Sequence, residues 1–174
     1  MHLLRMRDAS YTRRNEVVVP PATFDVGPGE QVIRACASAR EAEVLSMMAA
    51  ALTRSTGGSV LIGEYDPRVQ PVHCKRIAAF VPHDPLPLSQ IDAERYIAYR
   101  AALWDIEPQR ARAHARLLLE RLDGLHEAFA YPVVAALLPG PALLVLDRPE
   151  RGALQIIAPA AGGCAIFVTH ASAR

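Results

Sequence analysis

Leu143-Leu144-Val145-Leu146-Asp147 and Ala165-Ile166-Phe167-Val168-Thr169-His170 decide the fold class of this chain. Each is a short, unbroken apolar run that ends on polar residues, and neither alternates. A strand with one wet face alternates apolar and polar side chains, whereas a strand of a parallel sheet covered on both sides reads as continuous apolar sequence. Two such runs predict an α/β protein with a parallel core sheet.

The segments upstream fit around that sheet. Pro108 is favoured at a first helical position, Ala111, Ala115, Leu118 and Leu122 keep one stripe, and Gly124 supplies a stop. Ser89, followed three residues later by Asp92, predicts the start of another helix with Ile97, Ala101 and Trp104 on one face. These two helices form a central helical portion. Residues 59–63 and 77–81 read as strands. Before them Val44, Met47, Met48, Ala51 and Leu52 repeat at helical spacing from Arg40 until Gly57-Gly58. Residues 3–7, 16–19, 23–26 and 31–35 are β-branched segments separated by turn signals at Pro20-Pro21 and Gly27-Pro28-Gly29, and they read as a small β-layer.

Composition narrows the function classes. The 174 residues are 51% hydrophobic and 21% charged, too apolar for a disordered chain and of a length for one soluble domain. Nineteen Lys and Arg against 18 Asp and Glu give a net charge of +1, with no electrostatic reason to expect nucleic acid as a partner. Residues 1–10 lack the apolar region of a signal peptide. Pro139, Gly140 and Pro141 interrupt the longest apolar stretch, so no direct membrane insertion is expected. Cys36, Cys74 and Cys164 suggest no disulfide framework and fit a reducing cytoplasm. His73-Cys74 with His83 nine residues on matches no common zinc spacing, and no metal site is expected.

Taken in order, the pieces resemble the ATP-binding domain of ABC transporters over nearly the whole chain. Tyr11 lies where that family keeps an aromatic residue for adenine, ahead of the first strand pairs. Phe24-Asp25-Val26-Gly27-Pro28-Gly29-Glu30 resembles the strand and turn entering the phosphate loop. Gly57-Gly58-Ser59-Val60-Leu61-Ile62-Gly63 resembles the hairpin after the first helix, and Ala79-Phe80-Val81-Pro82-His83-Asp84 the Q-loop strand. Leu143 to Asp147 with Pro149 resembles Walker B, and Phe167-Val168-Thr169-His170 the switch-histidine strand. The resemblance implies a P-loop NTPase core sheet with an N-terminal antiparallel β-layer and a shortened helical subdomain. It implies one domain over residues 1–174: a β-layer and vestigial phosphate loop with its helix (1–81), a helical portion without the signature motif (82–138), and the Walker-B-like and switch-His-like strands (139–174).

The same comparison exposes what the nucleotide site has lost. A Walker A loop needs glycines whose N–H groups close around phosphate, a Lys for the β and γ phosphates, and a Ser or Thr for Mg²⁺. In Cys36-Ala37-Ser38-Ala39-Arg40-Glu41-Ala42-Glu43-Val44, Ala42 stands for the Lys, Glu43 for the hydroxyl and Glu41 for the last glycine, while Arg40 is the one residual cation. Two carboxylates suit a helix N-terminus but repel a triphosphate. Arg148 follows Asp147 where the family keeps its catalytic Glu, and a cation cannot be that base. His83 replaces the Q-loop glutamine, Leu154 falls at the D-loop aspartate, and the LSGGQ signature is absent between Gly124 and Leu143. Asp147, His170 and Tyr11 still match, although Asp147 can equally pair with Arg148 or Arg151, and Tyr11 can simply pack on a neighbouring strand.

The expectation is a catalytically degenerate ATP-binding-type subunit. It would be a pseudo-ATPase with no required cofactor, weak ATP binding through Tyr11 and the residual loop remaining open. It would act as a scaffold or regulatory partner of a membrane permease or of a competent ABC ATPase. Tyr99 and Trp104 are the expected docking residues, and the location is cytoplasmic, peripheral at the membrane through the partner. Two alternatives stand beside it: an ATP-binding subunit working only within an asymmetric complex, and an α/β module for a non-nucleotide ligand.

Overall fold

The computed structural model describes residues 2–84 and 92–172, and its strands fall into two sheets. β1 (Leu4–Arg13), β2 (Glu16–Val26) and β4 (Gly57–Ile62) form an antiparallel layer in the order β2-β1-β4. β3 (Gln31–Cys36), β5 (Ala78–Val81), β6 (Leu143–Asp147) and β7 (Ala165–Ala171) form a parallel sheet in the order β3-β7-β6-β5.

The continuous apolar runs are explained by where alternate residues go. Leu143, Val145, Ala165 and Phe167 join one core with α1 (Ala39–Ala49) and the antiparallel layer. Leu144, Leu146, Ile166 and Val168 join a second core with α3 (Ala93–Ala102), α4 (Pro108–Arg121), α5 (Glu127–Leu137) and α6 (Ala153–Ala160). A strand between two cores has no wet face on which a polar residue could stand. The layers are tied by Phe24 of β2, which stacks on Phe167 of β7 at 5.1 Å.

Several sequence expectations need correcting. Residues 31–35 do not belong to the β-layer, since as β3 they pair parallel with β7 in the core sheet. Residues 16–19 and 23–26 belong to one strand, because Pro20-Pro21 forms a bulge and no turn. Ala9 pairs with Ala22 and Tyr11 with Val19, so two residues on β2 face one on β1. β2 is an edge strand, which can spare the missing N–H groups. β1 also runs further than residue 7, so Tyr11 lies inside it and packs against the first core. The helix expected to reach Gly57 stops at Ala49, with Ala51 left-handed at φ 58°, and Gly57-Gly58 opens β4. Leu52 is therefore outside the helix and exposed. Ile77 ends a short helix, α2 (Pro71–Ile77), and does not open a strand. Ser89 lies outside the described residues, and the N-cap of α3 is Asp92, whose side chain accepts from Glu94 N–H at 2.9 Å. Trp104 sits in the turn after α3.

Three helices escaped the sequence reading. α2 and α6 are short, and α5 is apolar on nearly every side with Pro132 inside it, so it has no stripe to read.

Phe167 is fully buried and Leu117 is exposed on α4. Phe167→Ala should cost about 3–5 kcal/mol, and Leu117→Ala should stay within about 0.5 kcal/mol, both read from urea unfolding midpoints. Equal midpoint shifts for the two variants would contradict this account of the core.

Candidate functional site

Open parallel α/β sheets hold ligands beyond the carboxyl ends of their strands, and here two polar clusters lie at that edge. The first is the junction of β3 and α1, which only Ala37 and Ser38 separate. A helix start leaves N–H groups without intrahelical partners. Ser38-Ala39-Arg40-Glu41 engages one of them in a variant of the capping box: Ser38 Oγ accepts from Glu41 N–H at 3.1 Å, and Glu41 Oε2 folds back to accept from Ala37 N–H, one residue ahead of the N-cap, at 2.8 Å. In the register that sets Glu41, Ala42 and Glu43 against the family's glycine, lysine and hydroxyl, an open phosphate loop would span residues 37–40. α1 already begins at residue 39. Ala42 is buried, Glu43 is exposed, and Arg40 is turned to Glu16 at the start of β2, 3.6 Å away.

The second cluster stands at the ends of β5, β6 and β7. Asp147 is only 2% exposed, and a buried carboxylate must be paired. Arg148 pairs it as a fork, Nε to Oδ1 and Nη2 to Oδ2, both at 2.9 Å. The hydrogen bond to Asp147 holds the Arg148 guanidinium above its ordinary pKa, and the nearby Glu43 and Asp84 add to the effect. Thr169 Oγ1 donates to Asp147 Oδ1 at 3.2 Å, and Ser46 of α1 hydrogen-bonds Thr169 at 2.8 Å.

The backbone is bent to allow this. Arg148 is left-handed at φ 44°, which costs a non-glycine residue about 1–2 kcal/mol. Two hydrogen bonds fix the conformation: Arg148 N–H donates to Thr169 O at 3.0 Å, and the carbonyl of Arg148 accepts from His83 Nδ1 at 2.7 Å.

Of the expected site residues, Ser38, Glu41 and Ala42 meet at the first cluster, and His83, Asp147 and Arg148 at the second. Tyr11 is held in β1, and His170 is exposed on β7 opposite Ala35. Ser46 and Thr169 were missed by the sequence reading. Their signal was a hydroxyl inside an otherwise apolar stripe and an apolar run, at positions now seen to be fully buried. Cys36, at the end of β3, is buried next to Glu41, which together push its thiol up to about 11. His73 stacks on Tyr65 at 4.8 Å and so belongs to neither cluster.

Away from that edge, α2, the chain after α1 and the turn after α3 border a groove of about 870 Å³. Leu52, Val72, Leu103 and Trp104 line it together with Lys75, Arg76 and Arg100. Tyr99 is 64% exposed on α3. No helix among the described residues is long and apolar enough to cross a membrane.

No protein-family model and no curated protein matches the sequence. Solved structures do. An ATP-binding subunit of an ABC transporter superposes with a TM-score of 0.78 at 19% identity, over 97% of this chain and 79% of that one. CbiO1 from Clostridium perfringens, part of the CbiONQ ABC transporter complex, gives 0.77 at 12% identity over 98% and 79%. An ATP-binding cassette in a dimeric post-hydrolysis state with ADP and Pi gives 0.74 at 14% identity over 95% and 87%. At such identities the likeness is one of fold, and the chain has the α/β fold of ABC transporter ATP-binding subunits.

Arg148→Met removes the counter-charge of a buried carboxylate, which should destabilise the chain by about 3–5 kcal/mol. Asp147→Asn combined with Arg148→Met should recover much of that loss in urea unfolding. Arg148→Met unfolding at the parent's midpoint would show that the pair is not formed.

Proposed function

We propose that this chain is a non-hydrolytic subunit of ABC-ATPase fold, a scaffold or regulatory partner of a membrane permease or of a competent ABC ATPase. The observation that carries the reading is the Asp147–Arg148 fork. In the resemblance Asp147 is the Walker-B-like aspartate, whose role would be toward Mg²⁺, and here both of its oxygens accept from a guanidinium on the next residue. A tethered cation supplies the charge that a divalent ion would otherwise bring.

The residues do not fit a magnesium-bound triphosphate. Arg148 cannot act as the base that its position calls for. The N–H groups of Ala37 and Glu41 at this junction are engaged by side chains, and Glu41 and Glu43 bring negative charge to the same place. Ala42 has no cation to offer. The groove with Trp104, lined by both apolar and basic side chains, and the exposed Tyr99 support a protein partner, since aromatic side chains anchor interfaces. A location on the cytoplasmic side, held to the membrane by the partner, goes with this reading.

Thermal unfolding of the purified chain with and without millimolar Mg-ATP tests the proposal. A ligand at 100 times its Kd stabilises a folded chain by about 2.7 kcal/mol, a shift of several degrees at this size. The expected result is no shift. A clear shift that Tyr11→Ala abolishes would replace this reading with that of a nucleotide-binding subunit.

A further inference from the structure

Of the edge strands in the two sheets, β3 is the one without a guard. β2 carries Pro20, Pro21 and their bulge, β4 opens on Gly57-Gly58 with a register break against β1, and β5 has only four residues. β3 has six, Gln31-Val32-Ile33-Arg34-Ala35-Cys36, with neither Pro nor Gly and in unbroken register with β7. An even, unprotected edge is a template for another strand. Four of its residues, Gln31, Ile33, Arg34 and Ala35, are exposed, with Ile33 at 56% in the middle.

The hydrogen-bond phase says which groups are available. Ile166 N–H donates to Glu30 O and Ser172 N–H to Cys36 O, both at 2.8 Å. Even-numbered residues of β3 therefore direct N–H and C=O at β7, and Gln31, Ile33 and Ala35 direct theirs outward. Among the described residues no strand lies beyond them.

We propose that this edge pairs antiparallel, about a two-fold axis, with β3 of a second copy of the chain, Ile33 opposite Ile33. The sequence is self-complementary in that register. Gln31 meets the copy's Ala35, and each outward N–H and C=O of Gln31, Ile33 and Ala35 gains a partner. The two exposed isoleucines cover each other at the axis. On the other face Arg34 lies opposite the copy's Val32 and diagonal to its Glu30, within reach of a long side chain. Glu30 Oε2 is bonded to Gly27 N–H at 2.7 Å, which leaves Oε1 for that contact. The dimer buries the free edge and joins two parallel sheets into one, an arrangement independent of whether nucleotide binds.

Light scattering after size exclusion, over a micromolar to submillimolar range, tests it. The parent chain should dimerise with concentration. Ile33→Pro deletes only an outward N–H, which an edge strand tolerates, and should raise the dissociation constant about tenfold or more, one bond being lost from each copy. Arg34→Glu should weaken the dimer, and Glu30→Arg with Arg34→Glu should restore it. A parent that stays monomeric, an Ile33→Pro chain that dimerises like the parent, or a double variant that fails to recover would each overturn the proposal.

Discussion

A parallel sheet covered on both faces leaves a carboxylate at its end almost no water, so Asp147 must take its counter-charge from the chain itself. The rest of the edge follows from that need. Arg148 turns its guanidinium back onto the preceding residue from a left-handed backbone. The carbonyl thus displaced is taken up by His83, and the N–H by β7. Ser46 and Thr169 complete the set of partners, which binds α1, β6, β7 and the chain after β5 to one buried charge pair. Networks of this kind hold firmly when every member is satisfied and poorly when one is removed.

The β3–α1 junction obeys the same logic. A helix N-terminus at the end of a parallel strand is a ready anion site because its N–H groups lack partners. The sequence can leave those groups open for a ligand or satisfy them itself. Ser38 takes the N–H of Glu41, and the Glu41 carboxylate takes that of Ala37 just before the helix. On the proposed reading, both clusters use side chains of the charge that a magnesium nucleotide would bring, a cation beside Asp147 and an anion at α1. The two apolar cores hold the α/β scaffold, and the polar network ties α1 to the strand ends between them.

Much of this was legible in the sequence, and the rest was hidden for physical reasons. The strands β6 and β7 announced themselves, because burial on two faces leaves an unbroken apolar run. The order of motifs carried the fold although no single motif was strong. Pro20-Pro21 misled because proline marks turns in most contexts, and only the edge position of β2 makes it tolerable within a strand. α5 was unreadable as a helix because enclosure on all sides erases its periodicity. At the site, Arg148 was read as a cation where the resemblance places a carboxylate, and pairing with Asp147 was one of the options open. That both carboxylate oxygens are taken needed the geometry. Ser46 and Thr169 were overlooked because a hydroxyl in an apolar segment has no partner until the fold brings one to it.

The account rests on the Arg148 guanidinium standing as a permanent cation against Asp147, and the side-chain Nε–H resonance of Arg148 in an NMR spectrum of labelled protein reports on it directly. A hydrogen-bonded, largely buried Nε–H exchanges slowly with solvent. The account predicts a protected resonance whose position does not change when Mg²⁺ and ATP are added. A resonance lost to fast exchange, or one that moves in proportion to added Mg²⁺, would show that the carboxylate is open to metal and would contradict it.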